Sequence, residues 1–395
     1  MDSMIMKSSR ILTPLGTIDG YVTVEDGKIT SVAQGDCPQS RDMVIDVGDN
    51  YLSPGFIDMH THGGGGHDFM DGTDDCFAKA AKAHLLHGTT CMLPTTLTSS
   101  MEELYHSIDS FKKAQVELEG GPELLGLHLE GPYFNPLQAG AQDPRYLKSP
   151  QKEEYEAILK YADGAIRRWS VAVELDGAIP MGDALQREGI VGSIGHSDAE
   201  LDEVKVAHQH GYRLLTHFYS AMSGIVRKGG FRHLGIIESG YLLDDMDIEI
   251  IADGCHLPPD LLRMICKLKD HTRISLVTDS MRGAGMPDGP SVLGSLKDGQ
   301  EVVIEDGVAK LLDRSAFAGS VATADRLVRV MHQQAGLTID DAVKMMTENP
   351  ARVLGVADRK GKIAPGYDAD LVVFDEDIKV SCVVCKGVVT KIPCE

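Results

Sequence analysis

Residues 54–62, PGFIDMHTH, open on a turn pair, continue as a short apolar run and end in two histidines two positions apart. A run of that length bounded by Pro-Gly reads as a buried strand. The same form recurs in TTCMLPTT (89–96), LLGLHLEG (124–131), WSVAVELDG (169–177), GIVGSIGHS (189–197), YRLLTHFY (212–219), DIEIIADG (247–254) and ISLVTDS (274–280). Amphipathic stretches such as DDCFAKAAKAHLLHG and ADRLVRVMHQQAG accompany these runs. Eight such strands alternating with helices predict an α/β protein, a parallel barrel over residues 53–356 with its chemistry at the carboxyl ends of the strands. Residues 1–52 and 357–395 share a different texture, short β-like runs with turns between them, and predict one small sheet domain built from both ends of the chain.

The chain of 395 residues carries 38 basic and 59 acidic side chains, a formal charge of −21. That balance argues against non-specific partners among nucleic acids or anionic membranes, and an anionic substrate would need a local basic cluster. The start, MDSMIMKSSRIL, has no apolar run of signal-peptide length, and no stretch approaches the roughly 18–20 apolar residues of a membrane helix. Eight cysteines without framework spacing read as reduced thiols in a cytoplasm. Cys382 and Cys385 form a CxxC, but on an alternating strand residues three apart face opposite sides and cannot share an ion.

The strand ends supply His60 and His62, Glu130, His196, His217, His256 just downstream, and Asp279. His60 and His62, two apart on extended chain, project to one side. A lone histidine at a strand end is more often structural, but this many potential ligands at one end of one barrel point to a metal centre. Imidazole with carboxylate suits Zn²⁺ or a similar divalent ion. Asp279, ending ISLVTD, is placed to take a proton from water; capping the next helix is the minor alternative for such an Asp taken alone.

These segments, with GLHLEGPYFNP, THFYSAM, IIADGCHLPP, FAGS and NPARVLGVADRKGKIAPGYDADLVVFD, resemble the amidohydrolase superfamily and, within it, the N-acetylglucosamine-6-phosphate deacetylases, from about residue 10 to 390. The resemblance implies a (β/α)8 TIM barrel with a small β-sandwich domain, a homodimer, and release of acetate from an N-acetyl amino-sugar phosphate. It further implies Glu130, His196 and His217 as principal metal ligands, His60 and His62 as the pair for a second ion, and Asp279 as the catalytic acid and base. Ala141, Gln142, Ser220, Ala221, His256, Phe317, Ala318 and Gly319 are implied around the substrate, with Arg227 reaching the phosphate from the other subunit. Arg227, Lys228 and Arg232 also form the basic cluster that the overall charge makes necessary, and guanidinium favours Arg227 for planar recognition of phosphate.

Three positions depart from the family pattern. Ser220 stands where YNAM is frequent, Gln142 where KGAH has a histidine, and VAVELDG lacks the proline usual after its alanine. They touch the choice of sugar, and N-acetylgalactosamine 6-phosphate is an alternative substrate. A dihydroorotase-like, hydantoinase-like or N-acyl amino acid hydrolase is a rival, and a metal sensor without turnover is another. Gly63–Gly66 lacks the GK[ST] of a phosphate loop and is expected to let backbone pass close to the metal pair. His84 and His87, like His208 and His210, are expected to interact with helix carboxyl ends, and His128 to support Glu130 from behind.

Overall fold

In the computed structural model, which describes residues 3–37, 43–73 and 75–391, the strands close into the expected parallel barrel. Phe56–Thr61 (β1), Thr89–Thr96 (β2), Leu127–Glu130 (β3), Ile166–Val171 (β4), Val191–Ile194 (β5), Tyr212–Leu215 (β6), Asp247–Ile250 (β7) and Ile274–Leu276 (β8) pair in chain order. The ring shuts where Thr61 bridges Ser280 and Asp279 N donates to the His60 carbonyl at 2.9 Å. Every residue of β1, β2 and β3 is buried, which is why these strands read as continuous runs rather than alternations. Outside, Cys76–Leu85 buries Phe77, Ala80, Ala81 and His84, an i, i+3, i+4, i+7 stripe against the barrel. Below, Glu348–Val353 plugs the amino-terminal end of the barrel, and Asn349 Nδ2 donates to the Ile274 carbonyl at 2.6 Å.

The small domain is one continuous sheet in the order 388–391, 380–385, 371–374, 51–54, 3–13, 16–25 and 28–34, with 43–46 beside 3–13. The long strand Ser3–Thr13 bulges between Ser8 and Ile11; before the bulge it pairs with Met43–Asp46, after it with Tyr51–Pro54. A strand that changes partners halfway lets one sheet fold over a single core, here Met6, Ile11, Val22, Leu52, Leu371 and Val384. Cys382 packs in this core and Cys385 in the barrel's, so the CxxC thiols do face apart. Lys360 joins the domains: its buried ammonium meets Asp370, Glu123 and Asp368 at 2.5, 2.9 and 3.1 Å, beside an Arg359–Glu123 pair. The KGKI and DADLV segments are therefore two halves of one ionic clamp.

A four-stranded antiparallel sheet after β8 was not expected. Gly289–Leu293, Gln300–Glu305, Val308–Leu311 and Phe317–Ser320 pair in sequence over Met281, Leu293, Val302, Ile304 and Ala318. Among the described residues no helix is long and apolar enough to cross a membrane.

Candidate metal centre and substrate pocket

His60 is the penultimate residue of β1 and His62 follows its end, β3 ends in Glu130, and His196, His217 and Asp279 lie just beyond β5, β6 and β8. His196, His217 and Asp279 take left-handed backbone, with φ of 47°, 31° and 46°, where the chain leaves each strand. Two groups result, His60–His62–Asp279 and Glu130–His196–His217, each with its ligand atoms within 4.8 Å of one another. Glu130 lies between them: Oε1 is 3.0 Å from His217 Nε2 and 3.2 Å from His196 Nε2, and Oε2 is 3.3 Å from His62 Nε2. Asp279 Oδ1 is 3.1 Å from His62 Nε2 and 3.4 Å from His60 Nε2.

The fit to divalent metal rests on lone pairs. His60 Nδ1 is 2.8 Å from Glu249 Oε1 and His196 Nδ1 is 2.8 Å from the Gln138 carbonyl, acceptors that fix protons on Nδ1. For His60 and His196 that leaves Nε2 to face the cluster; His196 and His217 Nε2 lie 3.1 Å apart, and His60 and His62 Nε2 3.3 Å apart. Those spacings match ligands at about 2.0–2.1 Å in tetrahedral geometry, which are about 3.3 Å from one another. Burial would raise Glu130 and Asp279, yet the surrounding imidazoles hold both below the usual carboxylate range. The same carboxylates push His62, despite its burial, up to about 9. The cluster is thus a cation trap in which metal binding displaces protons.

Two residues that sequence reasoning missed support it. Glu249 on β7, fully buried, accepts from His60 Nδ1 and also from the His217 backbone N–H at 2.8 Å, tying both groups to one carboxylate. Arg168 on β4 pairs with Glu249 and donates to the Met59 carbonyl and Thr216 Oγ1. A carboxylate between two isoleucines in the DIEI run was the available signal. His128 packs edge-on to His60, with centroids 4.6 Å apart, and contacts Ser170 Oγ at 2.7 Å, so it supports the metal pair rather than Glu130 alone.

A pocket of about 260 Å³ opens over the cluster, and Ala141, Gln142, Ser220, Ala221, His256, Phe317 and Gly319 all line it. Gln142 is pinned, donating to Glu130 Oε2 and accepting from Thr98 N–H, both at 2.8 Å. His256 is held by Asp253 at 2.8 Å and meets Phe317 edge to face. Ala318 is a correction: strand alternation turns it into the core of the added sheet while Phe317 faces out. Arg227 does not line the pocket of its own chain but sits exposed on the hairpin Val226–Lys228/Phe231–His233.

Two further expectations are corrected. His84 does not serve its helix end; its buried Nε2 reaches the Gly63 carbonyl at 2.8 Å, because it lies on the stripe facing the barrel. Gly64 is needed for that approach, since an added Cβ would meet His84 Nε2 at 2.8 Å. His208 and His210 pair with Asp245 and Asp183 instead.

A parallel barrel with histidines and carboxylates converging at its carboxyl end defines a class, the barrel hydrolases that work through bound metal. This chain belongs to the amidohydrolase family, whose model matches residues 51–390, while residues 2–50 match an allantoinase composite domain. It is 33% identical to an N-acetylglucosamine-6-phosphate deacetylase of Bacillus subtilis, over 98% of this chain and 96% of that one. It is 31% identical to an N-acetylgalactosamine-6-phosphate deacetylase of Escherichia coli, over 97% and 98%. The Mycobacterium smegmatis N-acetyl-D-glucosamine-6-phosphate deacetylase, a mutant solved in complex with N-acetyl-D-glucosamine-6-phosphate, superposes with a TM-score of 0.90 at 30% identity, covering 98% and 99%.

Proposed function

We propose that the protein hydrolyses the acetamide of N-acetyl-D-glucosamine 6-phosphate to glucosamine 6-phosphate and acetate, using Zn²⁺, in the cytoplasm and as a homodimer. The convergence of five ligand side chains around Asp279 carries this reading. Glu130, His196 and His217 would hold one ion, and His60 and His62, with Glu130 shared, a second. Bound divalent metal supplies polarisation of the amide carbonyl and acidification of water. Asp279, ionised beside His62, takes the proton of the attacking water and delivers it to the departing amine nitrogen. His256, with Nδ1 committed to Asp253, offers Nε2 to a sugar hydroxyl. Ala221 presents its backbone amide to the phosphate, beside Ser220, whose own amide turns back to the His217 carbonyl at 2.9 Å, and Arg227 comes from the partner subunit, which accounts for an exposed guanidinium on a projecting hairpin.

The E. coli relative makes N-acetylgalactosamine 6-phosphate the competing substrate. The test is acetate release by zinc-loaded protein from both phosphorylated sugars and from unphosphorylated N-acetylglucosamine. Turnover confined to phosphorylated glucosamine is expected; no turnover of either phosphorylated sugar, with metal shown to be bound, overturns the reading.

A further inference from the structure

We infer that a chamber beside the metal centre receives the acyl end of the substrate, so that uncharged N-acyl groups longer than acetyl are also hydrolysed. The inference rests on the deacetylase reading. The chamber measures about 430 Å³ against about 260 Å³ for the substrate pocket. Leu97, Gly140, Ala141, Gln142 and Leu293 line both spaces. Gly140 and Ala141 bring no more than a methyl group to this divide, and the side chains of Leu97, Gln142 and Leu293 make up the rest of it.

Position around the barrel gives the chamber its role. Ser220 and Ala221 follow β6 and His256 follows β7, which puts sugar and phosphate on that side. Leu97 follows β2 and Gln142 follows β3, across the ring. With the amide over the metal cluster between them, the acyl carbon points away from β6 and β7 and toward the chamber. The chamber's apolar lining includes Met70, Leu97 and Leu293, beside the polar Thr98 and Gln142. It is also lined by Glu103, Asp143 and Asp298 with one guanidinium, Arg145, already bonded to Asp143 at 2.8 Å and Asp298 at 3.1 Å. Three carboxylates against one committed cation admit a neutral chain and reject one ending in a carboxylate.

The experiment measures amine release by the metal-loaded full-length protein from the N-acetyl, N-butanoyl, N-hexanoyl and N-succinyl derivatives of glucosamine 6-phosphate. Butanoyl and hexanoyl are expected within about tenfold of acetyl in kcat/KM, and succinyl at least about 100-fold lower. Ser99→Phe fills the chamber outside the pocket and should cut hexanoyl turnover about tenfold while leaving acetyl within about twofold, which also shows the fold intact. Ser295→Phe serves the same purpose if that variant does not fold. Acetyl turnover with hexanoyl depressed more than about 100-fold overturns the inference and leaves the deacetylase reading standing. Long chains accepted yet indifferent to both fillings overturn it as well. Loss of all four substrates, acetyl included, overturns the deacetylase reading and the inference with it.

Discussion

At His196, His217, Ala221 and Asp279 the backbone sits in the left-handed region, which side chains with a Cβ enter at a cost of about 1–3 kcal/mol each. All four line the substrate pocket, so the strain aims side chains at the barrel axis. Asp279→Asn should lower kcat about 10²–10⁴-fold with metal content unchanged, measured by steady-state kinetics and elemental analysis. Glu249→Gln should weaken metal binding about 10–100-fold, read by competition with a chelator. Identical metal affinity would deny Glu249 its positioning role. His84 gives a pH signature: burial pushes it down to about 4, and its Nδ1 has no hydrogen-bond partner among the described residues. Unfolding restores the ordinary value of 6.5, so protonation favours the unfolded chain, and this group's stabilisation is lost as pH falls from 6.5 toward 4. His84→Gln should flatten the fall of Tm over that window. The ligand residues were legible because each ends a strongly marked strand. Arg168 was not, because its partner Glu249 lies 81 residues away and only the closed barrel brings them together.

The hairpin carrying Arg227 exposes Ile225, Val226 and Phe231, the last 77% accessible, a patch suited to a second copy of the chain. Arg227→Ala should raise KM for the phosphorylated sugar. Mixed with Asp279→Asn after reversible dissociation, it should recover about one quarter of wild-type activity, because half the dimers are mixed and each holds one intact site. No recovery would mean that the arginine acts within its own subunit. The added sheet after β8 left a readable trace, since in EVVIEDGVAKLL the Asp306-Gly307 pair takes φ of 55° and 73°, the turn that Asp-Gly favours between alternating runs. It escaped because an interruption of the strand–helix alternation has no period of its own.

At the scale of the whole molecule, the clamp at Lys360 contributes to behaviour in acid. Burial would raise Glu123 and Asp368, but Arg359, Lys360 and, for Asp368, Lys28 hold both down to about 2. The stabilisation is present above their ordinary values of 4.5 and 3.8 and disappears as pH falls toward 2. Glu123→Gln should unfold more easily at neutral pH and lose less stability between about 4.5 and 2, followed by circular dichroism. The division into a barrel and a terminal sheet was legible from the two textures of the chain, whereas the charge cluster uniting them was visible only as a family signature. The sheet itself orders events during synthesis. Tyr51–Pro54 pairs on one side with Ser3–Thr13, made before it, and on the other with Leu371–Phe374, made only after the barrel. A nascent chain therefore leaves that edge open to other strands until the whole barrel has been synthesised.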